Sequence, residues 1–215
     1  MNSQADHLAH DISSPAGLHA WFGGIDIYLF DQLLKGRFTP GMRLLDAGCG
    51  DGRNLIYFLR SGYEVFGVDL SPVAIAEVRT LAASLAPRLP ADNFRVESVE
   101  RMSFESASCD AIISSAVLHF AADETHFQNM VAEMWRVLKP GGIFFSRLAS
   151  TIGIEDHLKH VRGRRYHLPD GTDRWLVDEA LLRQTTGELG GTFLEPIKTV
   201  NVQNLRSMTT WCLRK

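Results

Sequence analysis

Cysteine is scarce in this chain, and its scarcity excludes two kinds of architecture. The sequence contains three cysteines, Cys49, Cys109 and Cys212, and none forms a C-x-x-C pair. An odd and sparse set does not build a disulfide framework, so we expect a reducing compartment. The missing C-x-x-C pairs argue against a zinc knuckle, and we predict no metal site.

Long hydrophobic runs and an excess of one charge are also missing. No apolar stretch approaches the ~20 residues of a membrane span, and residues 1–19 lack the basic start and apolar centre of a signal peptide. The 22 basic and 25 acidic residues nearly cancel, which leaves a net charge of −3. We therefore predict a cytoplasmic protein that contacts no membrane and has no large surface for nucleic acid.

The length of 215 residues predicts one domain, since domains average ~150 residues. We expect residues 1–20 to form a flexible N-terminal arm and residues 21–215 to form the domain, because a turn-rich stretch ends the polar start of the chain.

Short apolar runs alternate with segments of helical period along the rest of the chain. We predict strands at residues 42–46, 64–68, 94–96, 110–114, 143–148, 192–202 and 208–213. We predict helices at residues 25–34, 54–60, 71–85, 123–138 and 178–189. This alternation indicates a mainly parallel sheet with helices on both faces, and the short connection between the last two strands predicts an antiparallel hairpin at one edge.

The most informative segment is the glycine-rich turn after the first predicted strand. Gly48, Gly50 and Gly52 can take backbone angles that other residues resist, and they let a ligand lie against the main chain. Asp69 ends the next strand, where a carboxylate can accept hydrogen bonds from both hydroxyls of a ribose. Asp51 in the turn would repel a pyrophosphate, so a positively charged nucleoside is favoured over a dinucleotide. A tight strand–helix corner without a ligand is the alternative.

Three motifs resemble those of one enzyme family. Residues 44–54 (LLDAGCGDGRN) are similar to the first motif of the class I S-adenosylmethionine-dependent methyltransferases, residues 65–71 (VFGVDLS) to the second-strand motif, and residues 136–142 (RVLKPGG) to the helix-to-strand motif. The resemblance implies an α/β, Rossmann-like fold of seven mainly parallel strands with helices on both faces and a C-terminal antiparallel β-hairpin. It also implies S-adenosyl-L-methionine as the cofactor and S-adenosyl-L-homocysteine as the product.

The resemblance assigns cofactor contacts to matching positions of this chain. Gly48, Cys49 and Gly50 would contact the methionine part of the cofactor, Asp46 would orient its amino group, and Asp69 would hold the ribose hydroxyls. The remaining implied residues flank the adenine or line the methyl-transfer end: Leu70, Ser98, Val99, Glu100 and Ser115. The family often has an aspartate at the position of Ser98, whose hydroxyl can still bond the adenine amino group more weakly.

The methyl acceptor is expected to lie beyond the fourth strand. Residues 114–120 (SSAVLHF) lack the Asn-Pro-Pro-Tyr-type motif that holds a planar amine, and the chain has no Pro-Cys nucleophile, so adenine, glutamine and cytosine acceptors are disfavoured. His119 is the candidate general base because an ordinary histidine pKa of ~6.5 suits proton removal near neutral pH. A packed or ligand-flanking histidine is the alternative.

Further substrate contacts are predicted in two other segments. The family implies that the first helix closes as a lid, where Tyr28 is the candidate contact. It also places a substrate-binding loop in the insertion at about 149–176, a length typical of lids and binding loops. Arg147 and Arg165 are the candidate residues for binding an anionic acceptor, and a solvated face of paired charges is the alternative.

The expected function is transfer of a methyl group from S-adenosyl-L-methionine to an O, N or S atom of a small molecule. The first alternative is a methyltransferase acting on tRNA or a protein side chain, which the acidic balance and the absence of a basic appended domain disfavour. The second is a non-catalytic S-adenosylmethionine-binding module, which the intact glycine turn and the residues expected around the acceptor disfavour.

Overall fold

A computed structural model describes residues 12–215. It contains eleven strands within this range: β1 (Arg43–Ala47), β2 (Glu64–Asp69), β3 (Phe94–Val96), β4 (Cys109–Ser115), β5 (Leu138–Ala149), β6 (Lys159–Arg162), β7 (Arg165–His167), β8 (Asp173–Trp175), β9 (Thr192–Phe193), β10 (Lys198–Val202) and β11 (Arg206–Arg214). The six α-helices of the same range are α1 (Pro15–Phe22), α2 (Ile27–Leu34), α3 (Ile56–Arg60), α4 (Pro72–Leu85), α5 (Glu124–Val137) and α6 (Glu179–Glu188).

The main sheet has the strand order β10-β11-β5-β4-β1-β2-β3. β3, β2, β1, β4 and β5 run parallel, while β11 is antiparallel to both β5 and β10. The predicted Rossmann-like sheet and its C-terminal antiparallel hairpin are therefore confirmed. An eighth strand, the two-residue β9, pairs with the end of β11 and was not separated from β10 in the sequence.

Polar residues cap the helices at the positions where the sequence changes from turn to apolar period. The side chains of Ser71, Asp123 and Asp178 each accept a backbone N–H from the first turn of α4, α5 and α6. Ser14 does the same for α1, where Pro15 occupies the first helical position. The arm predicted for residues 1–20 includes the first part of α1, and its residues 1–11 lie outside the described range.

β5 begins earlier than the predicted 143–148, because the Lys-Pro-Gly-Gly segment does not end the hydrogen-bonded ladder. Cys109 pairs with Leu138 and Ala111 pairs with Ile143, so the register shifts between these pairs and the extra residues bulge outward. Gly141 takes a φ of 77° in this bulge, a conformation that favours glycine.

Two apolar layers, one on each face of the main sheet, form the core. One layer packs α5 and α6 through residues such as Phe127 and Leu182, and the other packs α3 and α4 through residues such as Phe58 and Val78. All three cysteines are buried and unpaired within these layers. No helix in residues 12–215 combines the length and apolarity needed to cross a bilayer.

The insertion predicted at about 149–176 contains a small antiparallel sheet in the order β6-β7-β8. Trp175 anchors it, because its buried ring stacks on Phe127 of α5 with ring centroids 4.5 Å apart. The Arg164 guanidinium also donates to the Asp178 carboxylate at 2.8 Å. The insertion is therefore fixed against the domain near the carboxyl ends of β4 and β5.

Candidate active site

The glycine-rich turn after β1 folds tightly against the neighbouring strands. The N–H groups of Gly48 and Cys49 both donate to the carbonyl oxygen of Val68, at 2.8 and 2.9 Å. Gly48 has a φ of 88°, and a Cβ built on it would lie 2.3 Å from the side chain of Val117. Glycine is therefore required at position 48 both by the backbone angle and by the close approach of Val117.

Asp69 joins this turn to the end of β2. One carboxylate oxygen accepts the N–H of Gly50 at 3.0 Å, and the other accepts the N–H of Ser71 at 2.9 Å. A carboxylate oxygen has two lone pairs, so each oxygen keeps the capacity to accept a hydroxyl from a ligand. The two backbone bonds fix the orientation of the carboxylate at the mouth of the turn.

Asp46 lies beneath the turn and is 1% exposed. Neither of its carboxylate oxygens has a hydrogen-bond partner among residues 12–215. Burial raises the pKa of Asp46 to about 8, with Arg53 nearby opposing the shift. A buried carboxyl group without partners is costly, and a cationic group on a ligand would supply the missing charge and donors.

A cavity of about 220 Å³ opens beside the turn, and we call it the glycine-side cavity. Five of the predicted cofactor residues line it: Gly48, Asp69, Leu70, Ser98 and Val99. Five other lining residues were not predicted: Glu97, Val117, Phe120, His126 and Met130. Met130 and His126 lie on α5, whose strong helical period indicated only packing, so the sequence carried no signal for their place in the site.

Five predicted cofactor residues are absent from the lining of this cavity: Asp46, Cys49, Gly50, Glu100 and Ser115. Cys49 is buried below the turn, where its sulfur would lie 2.9 Å from a Cβ built on Gly67. The Glu100 carboxylate lies 3.0 Å from Nε2 of the His126 ring. The Ser115 hydroxyl donates to the Asp26 carboxylate at 3.3 Å.

A second cavity, of about 350 Å³, lies on the other side of the segment that follows β4. We call it the arginine cavity, and it is lined by Arg53, Ala116, His119, Arg147, Ala149, Leu168, Asp170, Thr172, Arg174, Val202, Arg206 and Met208. Within the intervening segment, Ala116 and His119 face the arginine cavity, whereas Val117 and Phe120 face the glycine-side cavity. Ala116 holds a φ of 63°, which is strained for a residue with a Cβ.

Of the four predicted substrate residues, His119 and Arg147 line the arginine cavity and the other two do not. The Arg165 guanidinium donates to the carbonyl oxygen of Ala121 at 3.1 Å and so ties β7 to the domain. Tyr28 presents its ring to Arg147, whose guanidinium carbon lies 5.2 Å from the ring centroid. Tyr28 therefore contacts Arg147, which lines the cavity, and is not itself part of the lining.

Asp26 connects the start of α2 to β4 and β5. Its carboxylate accepts from the Arg147 guanidinium at 2.8 Å, and its own N–H donates to the Asn54 side chain at 2.9 Å. Asp26 is almost fully buried, so this pairing holds Arg147 in one orientation. Asp26 was not predicted as a site residue; its side chain also caps α2 by accepting the N–H of Tyr28.

His119 is held as a neutral ring. Burial, with a contribution from Arg174, lowers its pKa to about 4. Its Nδ1 accepts the N–H of Ala149 at 3.3 Å, so the proton of the neutral ring lies on Nε2. A ring with that proton arrangement donates a hydrogen bond from Nε2. The geometry therefore supports His119 as a hydrogen-bond donor, and its role as a general base stays a prediction.

No group of three or more His, Cys, Asp or Glu side chains among residues 12–215 converges in a way that would hold a metal ion.

Known proteins similar in sequence to this chain are methyltransferases. A family model described as a methyltransferase domain matches residues 45–146. The malonyl-[acyl-carrier protein] O-methyltransferase of Enterobacter lignolyticus is 30% identical over 168 residues, which are 77% of this chain and 61% of that protein. The ubiquinone biosynthesis O-methyltransferase of Sinorhizobium medicae is 33% identical over 49% of this chain and 40% of that protein.

A solved structure agrees in fold. The 1,6-didemethyltoxoflavin-N1-methyltransferase of Burkholderia thailandensis, with bound 1,6-didemethyltoxoflavin and S-adenosylhomocysteine, superposes with a TM-score of 0.66 at 21% identity, covering 90% of this chain and 79% of that chain. The matched domain, the relatives and the fold support a class I S-adenosylmethionine-dependent methyltransferase. It spans about half to three fifths of the length of the first curated relatives it matches.

The residues of this site fit S-adenosylmethionine, which is the methyl donor of that family. That molecule carries an ammonium group, a sulfonium and a ribose. The buried carboxyl group of Asp46 lacks a cationic partner, and the Asp69 carboxylate borders a cavity with largely apolar walls. The ammonium group of the ligand therefore matches the Asp46 carboxyl group, and the ribose hydroxyls match the acceptor oxygens of Asp69.

Proposed function

We propose that this protein transfers a methyl group from S-adenosyl-L-methionine to a small-molecule acceptor. The single observation that carries the proposal is the pairing of two cavities across residues 116–120, one beside the glycine turn and one beside β5. A donor site and an acceptor site on opposite sides of one short segment are what a direct transfer between two bound molecules requires.

On the cofactor side, each residue has a separate role in the proposal. The Asp69 carboxylate accepts the ribose hydroxyls, and Asp46 receives the ammonium group. Leu70, Ser98 and Val99 surround the adenine, together with Met130 from α5. Gly48 and Gly50 allow the main chain to approach the ligand, and Cys49 packs beneath them. When bound, the cofactor supplies an electrophilic methyl group on a positively charged sulfur.

On the acceptor side, the protein's work is alignment and exclusion of water. Ser115 and Arg147 both bond to Asp26, so the ends of β4 and β5 are linked to α2 near the acceptor. The names of two relatives describe O-methyltransferases, which supports an oxygen atom as the acceptor.

Calorimetry with S-adenosylhomocysteine tests the cofactor assignment. We expect Asp69→Ala to weaken binding by about tenfold or more, because a charge-assisted bond contributes ~1.5–3 kcal/mol. Asp69→Asn, which preserves the shape and one acceptor oxygen, should lose less. Asp51→Asn is the matched control, since Asp51 is exposed in the same turn and accepts only the N–H of Arg53. Equal affinity of wild type and Asp69→Ala would overturn the ribose assignment.

Release of S-adenosylhomocysteine separates the proposed activity from the two alternatives. A small-molecule enzyme turns over with low-molecular-weight acceptors, and a cofactor-binding module binds without turnover. An enzyme acting on tRNA would bind RNA in a strongly salt-dependent manner. A cytoplasmic location stays a prediction.

A further inference from the structure

The arginine cavity carries more positive charge than its surroundings neutralise. Arg53 follows the glycine turn, Arg147 lies on β5, Arg174 on β8 and Arg206 on β11. Four guanidinium groups from four distant parts of the chain therefore border one cavity of about 350 Å³. One carboxylate, that of Asp170, lies among the lining residues.

The ion pairs of the described residues leave three of these arginines without a carboxylate. Arg147 pairs with Asp26 at 2.8 Å, and within residues 12–215 no acidic side chain lies within salt-bridge distance of Arg53, Arg174 or Arg206. Asp170 uses one oxygen to accept the N–H and the hydroxyl of Thr172. The three arginines outweigh the one carboxylate, so the cavity favours a negatively charged ligand.

Arg174 has donors available for recognition of a carboxylate. Arg174 is held over the ring of Phe120 at 4.9 Å and donates to the carbonyl of Asp173 at 2.9 Å, which leaves further N–H groups of its fork available. His119, another lining residue, adds a neutral Nε2–H donor, since its Nδ1 accepts the N–H of Ala149. Planar, forked donors suit the two oxygens of a carboxylate.

We propose that the acceptor is a carboxylic acid bound in the arginine cavity, and that one of its carboxylate oxygens takes the methyl group. This inference rests on the proposed function. The oxygen forms a bond to the methyl carbon, the carbon–sulfur bond of the donor breaks, and its electron pair stays on sulfur. An anion and a sulfonium become a neutral ester and a neutral thioether, and no proton moves.

The absence of a proton transfer agrees with the state of His119. A hydroxyl, thiol or ammonium acceptor must lose a proton during methyl transfer, and so calls for a base. His119 already carries its proton on Nε2, the nitrogen that is not bonded to Ala149. A carboxylate is ionised at neutral pH, so a donor such as His119 orients it and no base is required.

Binding of simple acids tests the site without turnover. Calorimetry on protein saturated with S-adenosylhomocysteine would use the dicarboxylates from malonate to adipate and their dimethyl esters. We expect at least one acid to bind and its diester to bind at least tenfold more weakly. Added salt should lower the affinity for the acid. If no acid of the series binds, or if the diesters bind equally well, the proposal is overturned.

Two arginine variants and one control assign that binding to the cavity. Arg174→Gln and Arg206→Gln should each lower the affinity for the acid by about tenfold, while the affinity for S-adenosylhomocysteine stays unchanged. Arg162→Gln is the control, because Arg162 is exposed on β6 of the same insertion and lies outside the cavity lining. Unchanged acid binding in both cavity variants would overturn the site. If the wild-type protein does not bind S-adenosylhomocysteine, that result would instead contradict the proposed function.

The position of the methyl group is tested on the product. The enzyme, methyl-labelled S-adenosylmethionine and a cell extract freed of macromolecules would be incubated together. A methyl ester releases the label as methanol in mild alkali, and this is the expected result. A labelled product that resists alkali would overturn the oxygen assignment. No labelled product at all would contradict the proposed function itself.

Discussion

The charge state of the buried Asp46 carboxyl group depends on what binds above it. Because its pKa is raised to about 8 and it has no partner, it is protonated at neutral pH until a cation approaches. We expect Asp46→Asn to lower the affinity for S-adenosylhomocysteine by about 10- to 100-fold, since one charge-assisted contact is lost. Wild-type affinity should rise as pH increases from 6 to 8, because the binding form of Asp46 becomes more populated.

The control ligand for Asp46→Asn is 5′-methylthioadenosine, which has the ribose and adenine but no amino acid part. Calorimetry should show equal affinity for wild type and variant with this ligand. An equal loss with both ligands would mean that the substitution disturbs the turn and that Asp46 does not meet the ammonium group.

His119 gives a second prediction at the same scale. With its pKa lowered to about 4, its protonation does not change between pH 5.5 and 7.5, so it contributes no slope to the pH–rate profile in that range. His119→Gln keeps a side-chain donor and should retain a larger share of turnover than His119→Ala, while the cofactor affinity of both stays unchanged. If the wild-type rate falls as pH decreases, with an apparent pKa near 6.5, and the His119 variants show no such fall, His119 acts as a general base.

At the scale of elements, the strained residue is the one that redirects the chain after β4. Ala116 has a φ of 63°, and its N–H donates to the carbonyl of Arg147 at 2.7 Å. The left-handed region costs a residue with a Cβ ~1–2 kcal/mol. Ala116→Gly should therefore raise the free energy of unfolding by about 1 kcal/mol in urea denaturation.

Ala121, at the end of the same segment, is the matched control for Ala116→Gly. It has a φ of −51° and is fully buried, so Ala121→Gly gains nothing from backbone relief and should destabilise by roughly 0.5–1 kcal/mol. If both variants destabilise the protein equally, the backbone at Ala116 is not under strain in solution.

For the whole molecule, two buried groups shape the dependence of stability on pH. His119 binds fewer protons folded than unfolded between about pH 4 and 6.5, so its contribution to stability rises with pH there. Asp46 binds more protons folded than unfolded between pH 3.8 and about 8, so its contribution falls as pH rises. The two oppose each other below pH 6.5, and above it Asp46 acts without that opposition.

Urea unfolding of the cofactor-free protein at pH 6.5 and 8.0 measures this difference. The free energy of unfolding should fall by about 1.4 kcal/mol per pH unit in wild type, and Asp46→Asn should remove the fall. Asp51→Asn, with an exposed carboxylate in the neighbouring turn, should keep it. A fall of the same size in Asp46→Asn would show that another group titrates.

The sequence predicted the parts of this molecule that depend on local order. β3 and α4 lie where predicted, because an apolar run and a Ser71 cap followed by proline are local signals. Arg206 was not predicted for the site, because only the antiparallel pairing of β11 with β5 brings it to the cavity. The proton position on His119 also depends on a distant group, the N–H of Ala149.

The burial of every thiol makes this protein convenient for site-directed labelling. Burial raises the pKa of Cys212 to about 12 and that of Cys49 and Cys109 in the same direction, so none presents a thiolate to a maleimide at neutral pH. A single cysteine introduced at the exposed Val161 on β6 would then carry a fluorophore alone. Its emission would report displacement of the insertion as ligands enter the arginine cavity.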